Sequence, residues 1–174
     1  MSDPRQFIPL NIAVLTVSDT RTEATDSSGR LLVERLQNTG HRLAAKRIVP
    51  DDIYQIRAVV SAWIADPAVD VILTTGGTGV TGRDGTPEAV LPLLDKVLEG
   101  FGEVFRFISY QEIGTSTIQS RALAGVANGT YVFCLPGSKN ACITAWDKLI
   151  QAQLDFRTRP CNLVELMPRL LEKE

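Results

Sequence analysis

Glycine, threonine and acidic residues concentrate in one stretch of the chain, residues 69–88, and their order indicates anion binding. Closely spaced glycines let the backbone adopt positive φ angles and approach a ligand. Backbone N–H groups in such a turn form a concave nest for an anion, of which phosphate is the commonest. Asp84 follows in the same loop, where a phosphate or its metal ion would lie. The glycines of this loop are Gly76, Gly77, Gly79 and Gly82.

A glycine-rich loop after a strand is also compatible with a tight turn that binds nothing. The hydroxyl groups, the acid and a helix that starts at Thr86 and Pro87 favour a binding loop over that alternative. Thr86 is the expected N-cap, Pro87 the first helical residue, and Glu88 lies in the first turn. The loop has no Gly-Lys-Ser/Thr ending, which excludes a Walker A motif. The glycine spacing fits a dinucleotide fingerprint only weakly, because residues 84–87 separate it from the helix.

Alternating apolar runs and amphipathic segments position this loop. The apolar run before it predicts a buried strand, and similar runs over residues 10–17 and 41–49 predict two more. Apolar residues at helical spacing predict helices over about 29–38 and 52–66. This alternation implies right-handed parallel crossovers, so we predict an α/β sheet with helices on both faces.

The second half of the chain predicts an antiparallel strand within the same sheet. A short helix is expected over residues 89–97, followed by another that starts near residue 100. Apolar runs over 122–127 and 130–135 are joined by Asn128-Gly129, the strongest short hairpin signal. We therefore predict a mixed, mostly parallel sheet with one antiparallel strand.

Polar residues also follow other predicted strands, at the sheet edge where ligands bind in open α/β folds. Ser18 and Asp19 follow the first strand, and residues 136–138 follow the last strand and precede a helix over about 141–149. Free N–H groups at that helix start favour an anion, although such a loop can also be only a turn. Asp51 and Asp52 follow the second strand. One of them is an N-cap, and the other is either a second local cap or a carboxylate near the glycine loop.

Composition suits one soluble domain and excludes several classes of function. The chain has 174 residues, of which 44% are hydrophobic and 22% charged. Its net charge of −2 argues against broad nucleic-acid binding, which needs a basic face. Residues 1–6 lack the features of a signal peptide and no apolar run is long enough for a membrane span, so we expect a cytoplasmic protein. We expect one domain over residues 1–174, with a core of about 10–150 and a tail, 151–174, that packs on the domain or on a neighbouring subunit.

Imidazole and thiol chemistry is not expected. His41 is the only histidine and lies at a predicted strand start, which favours a structural or solvated role. The three cysteines are odd in number and lack CxxC spacing, so a zinc site or a disulfide framework is not predicted.

Seven short motifs, in order along residues 10–150, resemble the MoaB/MogA family of molybdenum cofactor biosynthesis proteins, which is related to the gephyrin G and plant Cnx G domains. The motifs are Ser18-Asp19, Pro50-Asp51, Thr74 to Gly79, Arg83 to Glu88, Gly100 to Glu103, Ser120-Arg121 and Pro136 to Ser138. The MoaB branch is the most similar, through residues 60–65, 112–117 and 136–139. The resemblance implies a three-layer α/β/α fold of the MogA/MoaB-like, molybdopterin-binding type.

The resemblance also implies adenylyl transfer, in which AMP passes from ATP to the terminal phosphate of molybdopterin and pyrophosphate leaves. Because the attacking group is already an anionic phosphate, no side-chain nucleophile has to be activated, and Mg²⁺ and N–H nests can neutralise the charge. By this resemblance, Asp51 and Asp84 are catalytic and hold Mg²⁺, and Asp51 is preferred to Asp52 because it follows Pro50. The residues expected to bind ATP and molybdopterin are Ser18, Asp19, Thr75, Gly76, Gly77, Thr78, Gly79, Ser109, Ser120, Arg121, Pro136, Gly137 and Ser138.

Two alternative functions stay open. One is a protein that binds molybdopterin or its metal form without adenylylating it, and the other is an oligomeric scaffold. The resemblance further implies that copies of the chain assemble into trimers or hexamers, and it leaves room for contacts with other cofactor-biosynthesis proteins. No nucleic-acid or membrane partner is expected.

Overall fold

A six-stranded sheet lies at the centre of the computed structural model, which describes residues 5–173. The strands are β1 (Asn11–Val17), β2 (Arg42–Val49), β3 (Val71–Thr75), β4 (Lys96–Val97), β5 (Leu123–Ala127) and β6 (Thr130–Leu135). Their spatial order is β2-β1-β3-β6-β5-β4, and β5 runs antiparallel to both of its neighbours while the other five share one direction. The predicted mixed sheet with one antiparallel strand is confirmed. Residues 1–4 of the N-terminal segment considered above lie outside the described residues.

Helices cover both faces of the sheet, which confirms the three-layer α/β/α architecture. The helices are α1 (Ser27–Asn38), α2 (Ile53–Ala65), α3 (Thr86–Val90), α4 (Glu99–Ile113), α5 (Lys139–Ala145), α6 (Gln151–Gln153) and α7 (Leu163–Leu166). Helices α1, α4 and α5 pack on one face around Leu32, Phe105 and Trp146. Helices α2 and α3 pack on the other face around Ile56 and Val90. Within residues 5–173, no helix is long and apolar enough to cross a membrane.

The central strands β3 and β6 are fully buried because helices cover both faces of the sheet. Every residue of Val71–Thr75 and Thr130–Leu135 is buried, as expected for strands with a helical layer on each face. Asn128 and Gly129 join β5 to β6 with φ angles of 48° and 79°. Two positive φ angles are what a type I′ hairpin turn requires, so the predicted hairpin is confirmed.

Two predictions about the segment after the glycine loop were wrong. Helix α3 ends at Val90, a 3₁₀ turn follows over Leu91–Leu93, and residues 96–97 form β4 instead of continuing the predicted helix. Pro92 has no N–H to extend the helical hydrogen bonding, and residues 96–97 pair with β5 instead of forming a helix. Thr86 is not the N-cap, because Gly85 occupies that position and the Thr86 hydroxyl instead donates to the Gly76 carbonyl at 2.9 Å.

The C-terminal tail packs on its own domain. Leu154 and Val164 are buried within the same core as α1, α4 and α5. The Tyr131 hydroxyl donates to the Leu163 carbonyl at 2.8 Å, and Arg5 forms an ion pair with Glu165 at 2.8 Å. The sequence left two placements open for the tail, and these contacts show the first of them, packing on its own domain.

His41 has the structural role expected of it. The side chain is buried, and its Nδ1 accepts a hydrogen bond of 3.1 Å from the Leu10 N–H. Burial lowers the pKa of the imidazole to about 4, although the charge of Asp155 acts in the opposite direction. The folded protein therefore holds His41 neutral.

We expect acid to destabilise the protein through His41. Since the pKa is about 4 in the folded state and 6.5 in a model peptide, the unfolded chain takes up the proton first as the pH falls. The contribution of His41 to the free energy of unfolding is complete above pH 6.5, and it decreases by about 3 kcal/mol when the pH is lowered to about 4. Urea unfolding of the wild type and of His41→Asn at both ends of this range measures the effect. The asparagine variant does not titrate, so an equal loss in both proteins would contradict this assignment.

Candidate functional site

A cavity of about 670 Å³ lies at the edge of the sheet where β1, β3 and β6 end. This is the edge at which open α/β sheets bind ligands. The structure brings all but one of the predicted site residues to the cavity wall. They are Ser18, Asp19, Asp51, Thr75, Gly76, Gly77, Thr78, Gly79, Asp84, Ser109, Ser120, Pro136, Gly137 and Ser138.

The glycine loop is shaped by positions that only glycine fits. Gly76 and Gly77 have φ angles of 104° and 68°, in the left-handed region that side chains disfavour. A Cβ on Gly76 would lie 2.1 Å from the Val17 carbonyl oxygen, and one on Gly77 would lie 2.4 Å from Thr86 Oγ1. The loop is also anchored, because the Gly76 N–H donates to the Leu135 carbonyl at 3.0 Å. The backbone therefore presents a fixed, side-chain-free surface to the cavity.

Two carboxylates lie on either side of this loop. The Gly85 N–H donates to Asp51 Oδ1 at 3.2 Å, which places the Asp51 carboxylate beside Gly77. The Thr81 N–H and hydroxyl donate to Asp84 Oδ2 at 2.9 and 2.7 Å, which places the Asp84 carboxylate beside Gly79. Both acids thus reach the surface on which an anion would bind.

Asp51 and Asp52 have different roles in the structure. Asp52 caps α2, since its Oδ1 accepts hydrogen bonds from the N–H groups of Tyr54 and Gln55 at 3.0 and 2.9 Å. Asp51 lines the cavity and Asp52 does not. The turn that starts α2 therefore separates the two acids, with Asp52 at the helix cap and Asp51 at the cavity wall.

The electrostatic field around Asp51 favours a cation. Burial raises the pKa of the Asp51 carboxyl, and the negative charges of Asp84 and Asp19 raise it further. Asp84 has a lowered pKa, mainly because the Thr81 hydroxyl donates to it. Within residues 5–173, no three His, Cys, Asp or Glu side chains are grouped to hold a metal ion. Two carboxylates are enough for Mg²⁺, which binds one or two of them together with water and phosphate oxygens.

Asp19 is a support for Asp51 more than a free ligand group. Its Oδ1 accepts hydrogen bonds from the Asp51 N–H at 3.0 Å and from Arg83 Nη2 at 2.6 Å, and its Oδ2 accepts one from Arg83 Nε at 3.0 Å. The Arg83 guanidinium holds the pKa of the Asp19 carboxyl below its usual range. This bidentate pair fixes the backbone from which Asp51 projects.

The structure places Arg121 outside the cavity, which corrects the expectation that it lines the ligand site. Its Nε donates to the Gly79 carbonyl at 2.7 Å and its Nη2 to the Asp84 carbonyl at 3.0 Å. The same guanidinium forms an ion pair with Glu88. Arg121 therefore clamps the loop that carries Asp84, and sequence could not show this because every partner depends on tertiary folding.

Residues of α4 and its surroundings form a second wall that sequence reasoning largely missed. Asp51 and Asp84 precede α2 and α3 on one face of the sheet, whereas α4 and α5 lie on the other face. The cavity therefore crosses the sheet edge between the two helical layers. The sequence predicted only that a helix starts near residue 100, which gave no signal for which of its residues face a ligand. The missed residues of this wall are Phe105, Glu112, Ile113, Ser116, Thr117, Gln119, Asn140 and Ala141.

Comparison with known proteins gives the same family by three routes. A family model described as "Probable molybdopterin binding domain" matches residues 13–155. Molybdenum cofactor biosynthesis protein B of Escherichia coli (strain K12) is 59% identical over 157 residues, which cover 90% of this chain and 92% of that protein. A crystal structure of a molybdenum cofactor biosynthesis protein B has a TM-score of 0.82 at 47% identity and covers 88% of this chain and 94% of that one. The tungsten cofactor synthesizing protein MoaB from Pyrococcus furiosus has a TM-score of 0.74 at 40% identity, with 82% and 91% covered.

Proposed function

The chain belongs to the MoaB/MogA family of molybdenum cofactor biosynthesis proteins, and we propose that it acts in that pathway as a Mg-ATP-dependent molybdopterin adenylyltransferase. The observation that supports the activity is one cavity in which a positive-φ glycine loop lies between two carboxylates, Asp51 and Asp84. Such a site can bind phosphates and the cation that accompanies them.

In the proposed reaction, the terminal phosphate of molybdopterin attacks the α-phosphorus of ATP. The new P–O bond forms as the bond between the α-phosphorus and the bridging oxygen breaks, and pyrophosphate leaves with that electron pair. Residues 76–79 of the glycine loop bind and orient phosphate oxygens through their backbone. Asp51 and Asp84 would hold Mg²⁺, which would neutralise charge between the two anionic reactants. No proton has to be removed from the attacking phosphate, which agrees with a cavity wall in which none of the described residues is a histidine.

The charges of the cavity make the cation essential to this proposal. Among the described residues that line the cavity, Arg21 is the only basic one, whereas Asp19, Asp51, Asp84 and Glu112 are acidic. A triphosphate would meet net repulsion in this wall without a divalent cation. Nucleotide binding should therefore depend on Mg²⁺ far more than pterin binding does.

The test is turnover of purified protein with molybdopterin and ATP, with the adenylylated product followed by mass spectrometry. We expect product with Mg²⁺ and none when the metal is removed by a chelator. Tight molybdopterin binding without product would instead support the alternative of a binding protein. If the protein neither binds molybdopterin nor forms product, the scaffold alternative is supported.

We also propose that copies of the chain associate through an exposed apolar surface on α4 and the turn that follows it. Phe107 and Ile118 are 67% and 78% exposed, and three further apolar side chains of the same segment are also open to solvent. Several exposed apolar side chains on one segment are typical of a protein interface. The other side chains of this surface are Val104, Tyr110 and Ile113.

Phe107→Asp is expected to shift the protein from a trimer or hexamer to the monomer in sedimentation velocity, because it places a charge within the apolar interface. Tyr54→Asp is the matched control, since Tyr54 is 75% exposed but lies on α2. The control should keep the wild-type sedimentation coefficient. A monomeric wild type would refute the association.

A further inference from the structure

An acidic residue lies at the end of α4 where helix electrostatics disfavour it. Glu112 is in the last turn of α4, and the partial negative charge of a helix C-terminus repels a carboxylate there. Two donors from the α5 side offset this repulsion. The Thr144 hydroxyl donates to Oε2 at 2.7 Å, and the Lys148 ammonium donates to Oε1 at 2.7 Å. These bonds lower the pKa of Glu112, so the side chain is an anion at neutral pH.

Glu112 also differs in charge from the residues around it on the cavity wall. On the wall formed by α4, α5 and residues 114–120, it is the only charged residue among the described ones that line the cavity. Its neighbours there include Ile113, whose apolar surface suits the face of a flat ring, and neutral polar groups such as Ser109 and Asn140. The acidic pair Asp51 and Asp84 belongs to the loops on the opposite helical layer.

The hydrogen bonding of Glu112 leaves room for a ligand. Each carboxylate oxygen accepts one bond from the protein, and each can accept another. Two parallel acceptors match two adjacent N–H donors on a planar ligand. In a pterin, the 2-amino-4-oxopyrimidine edge offers this pair through the ring N–H and the amino group. The hydrogen-bonding edge of adenine offers a donor beside an acceptor and does not match.

We propose that Glu112 is a specificity-determining residue that binds the 2-amino-4-oxopyrimidine edge of the pterin on the α4 wall of the cavity. The inference rests on the proposed function, because it takes a pterin to be the substrate of this site. It goes further in assigning the two walls: Glu112 receives the heterocycle, and the glycine loop with Asp51 and Asp84 receives the phosphates. The adenine base then lies away from Glu112.

The test compares two fluorescent probes, 6-hydroxymethylpterin and 6-hydroxymethyllumazine. The pterin has an amino group at the 2-position, where the lumazine has an oxo group and a proton on the adjacent N1. We expect the wild type to bind the pterin roughly 10- to 100-fold more tightly than the lumazine. Glu112→Gln should abolish this preference, because an amide presents one donor and one acceptor. Glu112→Ala should abolish it as well. Glu103→Gln, an exposed acid of α4 outside the cavity, should keep it.

The outcomes separate the inference from the proposed function. A preference for the pterin that survives in both Glu112 variants would overturn the inference and leave the proposed function intact. A wild type that binds neither probe would overturn the inference and count against the proposed function too. Thermal unfolding of each variant, measured beside the titrations, shows whether a changed preference reflects the ligand site or a damaged fold.

Discussion

Asp51→Asn is expected to reduce formation of adenylylated molybdopterin by at least about 100-fold without loss of the fold. An uncharged amide cannot hold Mg²⁺ as a carboxylate does, but its oxygen can still accept the Gly85 N–H. The raised pKa of Asp51 also means that the ionised carboxyl disfavours the folded state at neutral pH. The asparagine variant should therefore be at least as stable to urea as the wild type.

Asp52→Asn is the matched control for this experiment. Asparagine is as good an N-cap as aspartate, so α2 should keep its start and turnover should stay near the wild-type rate. Loss of turnover in the Asp52 variant alone, with Asp51→Asn fully active, would contradict the assignment of the two acids. Initial rates at saturating Mg-ATP, measured beside urea unfolding of all three proteins, give both comparisons.

Gly76→Ala is expected to have the largest effect on stability, a decrease of about 3 kcal/mol or more in the free energy of unfolding. A methyl group at this position lies 2.1 Å from the Val17 carbonyl, and the φ angle of 104° is strained for alanine. The obstacle is strand backbone, which cannot turn aside as a side chain can. β1, β3 and the glycine loop must therefore move apart.

Gly82→Ala tests the same loop without the clash. No atom lies within 4 Å of a Cβ at Gly82, so alanine should change the free energy of unfolding little. Urea unfolding of the two variants measures the contrast. Similar stabilities for the two would show that the close approach at Gly76 does not constrain the loop.

Local patterns predicted every strand of the sheet except β4, because each of the other strands carries its own signal. The apolar run before the glycine loop became β3, and Asn128-Gly129 became the turn between β5 and β6. The helix boundaries were less accurate where tertiary contacts compete with local ones. Thr86 has the side chain of a good N-cap, but its hydroxyl donates to the Gly76 carbonyl instead of capping the helix.

The candidate site was predicted more fully on one wall than on the other. Residues that follow strands, such as Asp51 and Asp84, reach the sheet edge because the topology requires it. Glu112 lies in a helix whose direction relative to that edge depends on packing, so the resemblance of residues 112–117 to the MoaB branch did not show its place in the cavity. Arg121 was expected to bind ligand because it follows Ser120 in a shared motif, yet its guanidinium turns to the loop backbone.

The Arg121 clamp connects the two walls of the cavity. Four of residues 114–120 line one wall, and Arg121, directly after them, holds the loop of Asp84 through its side chain and the Thr78 carbonyl through its N–H at 3.1 Å. A ligand that orders one segment therefore reduces the conformational entropy that the other segment loses when a second ligand binds. Pterin and Mg-ATP should bind with positive cooperativity, and each should raise the affinity for the other by the same factor.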